Sequence, residues 1–284
     1  MPGSGASPTV YKRQLGLALA SMREDAGFTA ERVAKVLECS VAKIRRIEAG
    51  DVSVRAAELN ALMDHYGATK QARKHIEELG RQARKRAPRT PYGSVLPDFF
   101  RKFFNLEQIA TEVLVYHGEL IPGQFQTPDY ARSLLESNPL HEEVEVDRLV
   151  QARQVRQSRM IDPAASQRQH VVLHEAAIRT VVGSPELMKH QLLHLKKLAG
   201  QQNITLQVIP FSAGAHTASG FPFTILRFPD NLANAVYLEN LTTASSLDEP
   251  SHVAQYETAF RHVVGAALSP AKSLALLATV ANEL

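Results

Sequence analysis

At 284 residues the chain exceeds the roughly 100–200 of a usual domain, so it has room for two domains or one large one, and a small disulfide- or metal-stapled scaffold is excluded. An apolar share of 44%, a charged share of 21% and 15 Gly with 15 Pro are ordinary for a globular chain and exclude wholesale disorder. The small formal charge of +3 conceals a split at Thr90: residues 1–90 carry 17 Lys and Arg against 10 Asp and Glu, and residues 91–284 carry 15 against 19.

A basic excess confined to one module suits a polyanion-binding head, because Lys and Arg that neutralise phosphates release condensed counterions. A merely solvated basic surface carries the same charge, so on charge alone both readings stay open. Cys39, the single cysteine, cannot form an internal disulfide. The N-terminal MPGSGASPTVYKRQ lacks an apolar signal region, and no apolar run approaches the roughly 18–20 residues that span a bilayer. An intracellular, cytoplasmic protein without a membrane partner is expected.

Residues 1–10, rich in Gly, Ser, Ala and Pro, have the composition of an unanchored tail. A helical pattern starts at Tyr11, with Leu15, Leu19 and Met22 on one face and Gly27 at its end. Thr29 is a hydroxyl N-cap for a short second helix carrying Val33 and Leu37, and Ser40 caps a third with Ile44 and Ile47 inside and Gly50 after it. Leu59, Leu62, Met63 and Tyr66 mark a fourth helix, and Ile76, Leu79 and Ala83 a fifth. The resulting organisation is an all-α head over 11–84, a Pro-containing basic linker over 85–97 and a second module over 98–284.

The second module is expected to open with a helix from Asp98 to about His117, followed by helices near Tyr130–Glu136 and Glu142–Met160. HVVLHE (170–175), ITLQVIPF (204–211), FPFTILRF (221–228) and AVYLENL (235–241) predict four short strands. Further helices are expected at Ser184–Ala199, Ser251–Ala267 and Pro270–Leu284. The fold class is therefore multi-domain, an all-α five-helix head plus a mixed α+β module whose strand order the runs do not reveal.

Residues 29–50, TAERVAKVLECSVAKIRRIEAG, give two short helices around a tight turn, a helix-turn-helix pattern. At 100° per residue, Ile44 and Ile47 share one side of the third helix and Ala42, Arg45, Arg46 and Ala49 the other. Small residues let such a helix sink into the major groove, while Arg donates bidentately to guanine or clamps a phosphate. Lys43 flanks this face as a phosphate contact. The candidate DNA-contacting residues are Thr29, Arg32, Ser40, Val41, Ala42, Lys43, Arg45, Arg46 and Arg55. Cys39 is read as a small apolar turn residue rather than an oxidation switch.

LALASMREDAGFTAERVAKVLE and CSVAKIRRIEAG resemble the Xre-type helix-turn-helix of phage-repressor-like transcription factors, a lambda-repressor-like fold, over residues 11–67. Ala30 stands where that family usually has glutamine and Glu38 where it has a turn glycine. The resemblance also implies that Glu48 pairs with Arg23 of the first helix, in a structural role. From about Phe100 to Ala278, stretches such as NLEQIATEVLVYHGELIPGQFQTPDYARSLLE, VDRLVQARQVRQSRM and ITLQVIPFSAGAHTASGFPFTILRFP are similar to the domain of unknown function that follows Xre-type heads in actinobacterial, WhiJ-like regulators. That family's loop more often has two leucines where Gln124 and Phe125 stand. This resemblance implies regulation of development or secondary metabolism, often beside a small partner protein in antitoxin-like pairs.

Two groups in the second module are candidate ligand or partner contacts. Arg153 and Arg156, at i and i+3 with Gln157 beside them, can hold a carboxylate or phosphate, and equally can form a solvated or interdomain face. Gln124, Phe125 and Gln126 lie in the IPGQFQTPDY loop, for which a structural corner is the competing reading. His190 and His194 have an i, i+4 spacing that suits a metal, but no third ligand is specified and HQLLH lacks the glutamate of HExxH, so they are read as a satisfied surface pair. No P-loop, GxSxG or strand-linked GxGxxG is present, so no enzyme, metal or cofactor is expected. The expected function is a sequence-specific DNA-binding regulator, a repressor and homodimer on a double-stranded operator, with a small-molecule effector or small partner protein acting on the second module. The alternative is an antitoxin-like protein that chiefly binds its cognate partner and autoregulates its operon.

Overall fold

The computed structural model describes residues 8–85, 98–139, 142–162, 167–228, 233–241 and 243–284. The chain divides into two compact units, Met1–Arg89 and Thr90–Leu284. Of the expected linker only Lys85 falls within the described residues, and of the expected tail only Pro8 to Val10, which already belong to the first helix.

The described residues of the first unit form five helices, α1 (Pro8–Asp25), α2 (Ala30–Val36), α3 (Val41–Glu48), α4 (Ala56–His65) and α5 (Lys70–Ala83). Helix α1 starts three residues before the expected Tyr11, with Pro8 at its first position, where the missing N–H costs nothing. The Thr29 and Ser40 hydroxyls cap α2 and α3 by accepting from Arg32 N (3.3 Å) and Lys43 N (3.2 Å). Leu15, Leu19, Val33, Ile44, Ile47, Leu59, Leu62 and Met63, all at most 2% exposed, form one core shared by the helices. Helix α1 reaches α3 through a glycine: a Cβ at Gly16 would lie 2.6 Å from the Ile47 carbonyl oxygen and closer still to that of Glu48.

The second unit is built on one six-stranded sheet, β1 (Glu112–His117), β2 (Arg168–His174), β3 (Ile204–Ile209), β4 (Phe223–Arg227), β5 (Ala235–Glu239) and β6 (Ala244–Leu247), in the order β3-β2-β1-β4-β5-β6. Strands β1, β2 and β3 are parallel, with Val115 opposite Val171 and Val171 opposite Leu206; β4, β5 and β6 continue antiparallel. Helices α6 (Asp98–Glu107), α7 (Pro128–Glu136), α8 (Glu143–Met160), α9 (Glu175–Arg179), α10 (Pro185–Leu198), α11 (Pro250–Ala266) and α12 (Pro270–Glu283) complete the unit. Val113, Val115, Val171, Leu173 and Leu206 face a core with α6, α10 and α12, while Leu114, Tyr116, Val172, Ile225 and Val236 face a second core with α11.

The expected helix from Asp98 to His117 is corrected: α6 stops at Glu107 and EVLVYH is the strand at the centre of the sheet. Both faces of β1 are covered, so Val113 through Tyr116 are all buried and show no period-two alternation to separate them from a buried helix. Against the expected count of about four strands, the described residues form six. Besides β1 that count missed β6, whose sequence ASSL is small and polar and which pairs only along the sheet edge with β5. The five-residue helix α9 was also not expected, being too short to show a helical period.

Candidate nucleic-acid interface

Between α2 and α3 the chain turns in four residues, Leu37 to Ser40. Glu38, in the usual glycine position, adopts φ +48°, the left-handed conformation that favours glycine. The turn therefore keeps its shape and Glu38 bears the strain. Cys39 packs partly buried against the core, its Sγ 3.7 Å from the Ser40 carbonyl oxygen. Ala30 also packs against this core from the start of α2.

On α3, Ile44 and Ile47 are 2% exposed, Val41 leans on the core, and Ala42, Arg45 and Arg46 face solvent. Arg45 has a 72% exposed side chain whose nearest carboxylate oxygen, on the equally open Glu31, is 3.9 Å away, a separation and exposure at which an ion pair contributes little. The Arg46 side chain makes no ion pair or hydrogen bond with the other described residues. Lys43, by contrast, is already engaged: its Nζ lies 2.6 Å from Glu58 Oε1 on α4 and holds that carboxyl below the usual carboxylate range. Glu58 also accepts from the Arg55 backbone N–H (3.1 Å), so one carboxylate ties α3 to the start of α4.

Arg32 is exposed on α2 with its guanidinium 4.5 Å from the centre of the Phe28 ring, which stacks on His65 at 4.3 Å. Thr29, Arg32, Ser40, Ala42, Arg45, Arg46 and Arg55 are exposed, and Val41 and Lys43 partly so. Two partners escaped the sequence reading, Glu58 for Lys43 and Phe28 for Arg32. Helix packing, rather than spacing along the chain, brings the first pair together.

In the second unit, Gln124, Phe125, Gln126, Arg156 and Gln157 come together, and their polar groups largely satisfy one another. Phe125 is fully buried, and Gln124, Gln126, Arg156 and Gln157 are all buried. Arg156 donates through Nε and Nη2 to both oxygens of buried Glu107, each at 2.7 Å, and Nη2 also reaches Gln124 Oε1 at 3.1 Å. Gln157 Nε2 donates to the Gln124 and Gln126 carbonyl oxygens at 3.0 and 3.2 Å, and Arg153 Nη1 to Gln126 Oε1 at 2.5 Å. Gln191 of α10 clamps the loop from the other side, accepting from Thr127 N and donating to Phe125 O. The cavity lined by Glu107, Gln124, Arg156 and Gln169 measures about 20 Å³, space for one water.

Beside this cluster, burial and the neighbouring Arg156 charge push His117 at the end of β1 down to about 4, and burial pushes the Glu239 carboxyl up. Arg153 is lowered to about 10, first by burial and then by Arg156. His190 and His194 do not form the expected surface pair. His190 is exposed, whereas His194 is half-buried and its Nε2 lies 3.0 Å from Gln157 Nε2, an acceptor for that amide. Burial also lowers the His194 pKa. Among the described residues no group of three or more His, Cys, Asp or Glu is placed to hold a metal. None of the helices there is alone long and apolar enough to cross a membrane.

An exposed cationic helix behind a capped turn, joined to a separate mixed domain, defines a helix-turn-helix DNA-binding regulator with a distinct C-terminal domain. A helix-turn-helix domain family model matches residues 14–76. Residues 100–279 match the domain of unknown function DUF5753, and the chain belongs to that family. No curated protein and no solved structure matches the chain.

Proposed function

We propose that the chain is a cytoplasmic, sequence-specific repressor that places α3 in the major groove of a double-stranded operator. The observation that carries this reading is the pair Arg45 and Arg46, solvent-facing on one side of α3 and without a strong internal partner. Arginines held this way keep their donors for guanine O6 and N7 or for phosphate, while Ala42 leaves room for close approach. Lys43, neutralised by Glu58, acts more through the fold than through the groove. The working form is a homodimer on a near-palindrome whose half-sites lie about one helical turn apart.

The C-terminal unit then supplies the input, from a small-molecule effector or a small partner protein. An antitoxin-like role, in which partner binding is the main activity and the head autoregulates the operon, draws support from the exposed Phe211, Phe221 and Leu241 of that unit. Footprinting on the DNA upstream of the protein's own gene tests the repressor reading. Two protected half-sites related by a dyad are expected, and protection that is absent or spread evenly along the DNA contradicts it. Co-purification with a stoichiometric small protein would favour the antitoxin-like role.

A further inference from the structure

The carboxyl ends of the three parallel strands bring together a second group of polar rings, away from the Arg156 cluster and on the opposite face of the sheet. Tyr116 of β1 and His174 of β2 lie there, with His216 from the segment that follows β3. Tyr116 Oη is 3.2 Å from His216 Nε2, and the two rings meet edge-on at 5.3 Å. His174 and His216 are 6.0 Å apart between ring centres, and His174 meets Phe211 edge-on at 5.3 Å. In open α/β sheets, this carboxyl-end edge is where ligands bind.

The protons in the group are fixed by the backbone. His174 Nδ1 accepts from Ala176 N and His216 Nδ1 from Ala218 N, both at 3.3 Å. Each neutral ring therefore carries its proton on Nε2, and neither Nε2 has the lone pair a metal needs. His216 Nε2–H donates to Tyr116 Oη, so the hydroxyl proton of Tyr116 points elsewhere. That side chain is 2% exposed, and its hydroxyl has no other hydrogen bond among the described residues. His174 Nε2–H is likewise without an acceptor among them. Two donors in one cluster thus lack an acceptor among the described residues, the buried Tyr116 hydroxyl and His174 Nε2–H, the latter beside Phe211, which is 54% exposed.

The local charge selects against an anion. Glu175 follows His174 directly, and its carboxylate accepts from Phe211 N and Arg179 Nε, each at 2.7 Å. Arg179 is divided between Glu175 and Glu283, so its charge is already matched. Burial keeps His216 below the ordinary histidine range and hence neutral near pH 7.

We propose that Tyr116, His174 and His216 form a binding site for an uncharged small molecule that presents a carbonyl oxygen to Tyr116 Oη–H and His174 Nε2–H and rests its apolar body on Phe211. This inference rests on the reading of the C-terminal unit as the one that receives the signal, and it names the chemistry of that signal.

The test uses full-length protein with 13C-labelled histidine and three probes of similar size: acetophenone, benzoate, which adds a negative charge, and ethylbenzene, which lacks the acceptor. Acetophenone is expected to shift the His174 and His216 ring resonances saturably, with the other two binding about tenfold more weakly or worse. Tyr116→Phe, which keeps the buried ring, and His174→Gln should each weaken acetophenone about tenfold while unfolding midpoints stay near wild type. Absence of a saturable shift, benzoate binding as tightly as acetophenone, or a folded Tyr116→Phe that binds like wild type overturns the site. Operator affinity measured with and without acetophenone separates the two claims: binding that leaves DNA affinity unchanged upholds the site and overturns its role as the signal input.

Discussion

Arg23 clamps Glu48 with two hydrogen bonds, Nε to Oε1 at 2.6 Å and Nη2 to Oε2 at 3.1 Å, and with Nη1 holds the Phe28 carbonyl oxygen at 3.0 Å. One guanidinium thereby fixes the end of α1, the entry to α2 and the last turn of α3. Both side chains are only 14% exposed. The pairing implied by the family resemblance is present, and its geometry sets the angle at which Arg45 and Arg46 leave the head.

Glu48→Gln keeps the shape but removes the charge from a partly desolvated, bidentate contact. It should destabilise the head by about 1–3 kcal/mol, because Arg23 loses its part-buried counter-charge and keeps only the exposed Glu24. Chemical denaturation followed by circular dichroism measures this, and an unchanged midpoint would show that the clamp is ornamental.

Gly16→Ala should cost more than an ordinary surface substitution on α1. The added Cβ meets backbone carbonyl oxygens of Ile47 and Glu48 rather than a side chain that can swing away. Separating α1 from α3 is expected to cost about 1–3 kcal/mol, with DNA affinity falling in parallel as α3 shifts. A variant as stable as wild type would mean that the two helices adjust without strain.

Glu38→Gly has the opposite sign. The left-handed conformation at φ +48° is strained for glutamate and free for glycine, so the substitution should stabilise the head by up to about 1 kcal/mol despite glycine's greater unfolded entropy. A lower melting temperature would show that the glutamate side chain contributes more than its backbone costs.

The head was legible because its signals are local. Thr29 and Ser40 announce their caps, and Gly27 and Gly50 stand left-handed where the helices end. The outward face of α3 followed from its period alone. The Lys43–Glu58 contact did not, because it spans 15 residues and depends on how α3 packs against α4. In the second unit β1 was hidden by burial on both faces and β6 by its small polar sequence. Gln124, Gln126, Arg156 and Gln157 were singled out as polar groups worth following. Glu107 and Gln191, which hold them through α6 and α10, leave no mark in the local sequence.

Acidification should weaken the C-terminal unit through His117. Burial holds His117 at about 4 in the fold, whereas the unfolded ring takes up its proton near the ordinary 6.5. Between these values the unfolded state binds more protons, so stability rises with pH, and the contribution present at pH 7 is lost as pH falls. From pH 7 to 5 the loss through His117 is about 1–2 kcal/mol. His194 and His216, also lowered, act in the same direction. Urea midpoints across this range should fall for wild type and fall less for His117→Gln; equal slopes would contradict the assignment to His117.

The central claim is that Arg45 and Arg46 read the operator while Lys43 chiefly supports the fold. Fluorescence anisotropy with labelled DNA from upstream of the protein's gene, and a scrambled control, tests it across a salt series. For Arg45→Ala and Arg46→Ala, each expected to fold normally, specific binding should weaken by about 1–3 kcal/mol per base contact while scrambled DNA is bound almost as before. Equal, steeply salt-dependent binding of both DNAs by wild type, unchanged in the double variant, would reduce the head to a general cationic surface and contradict the account.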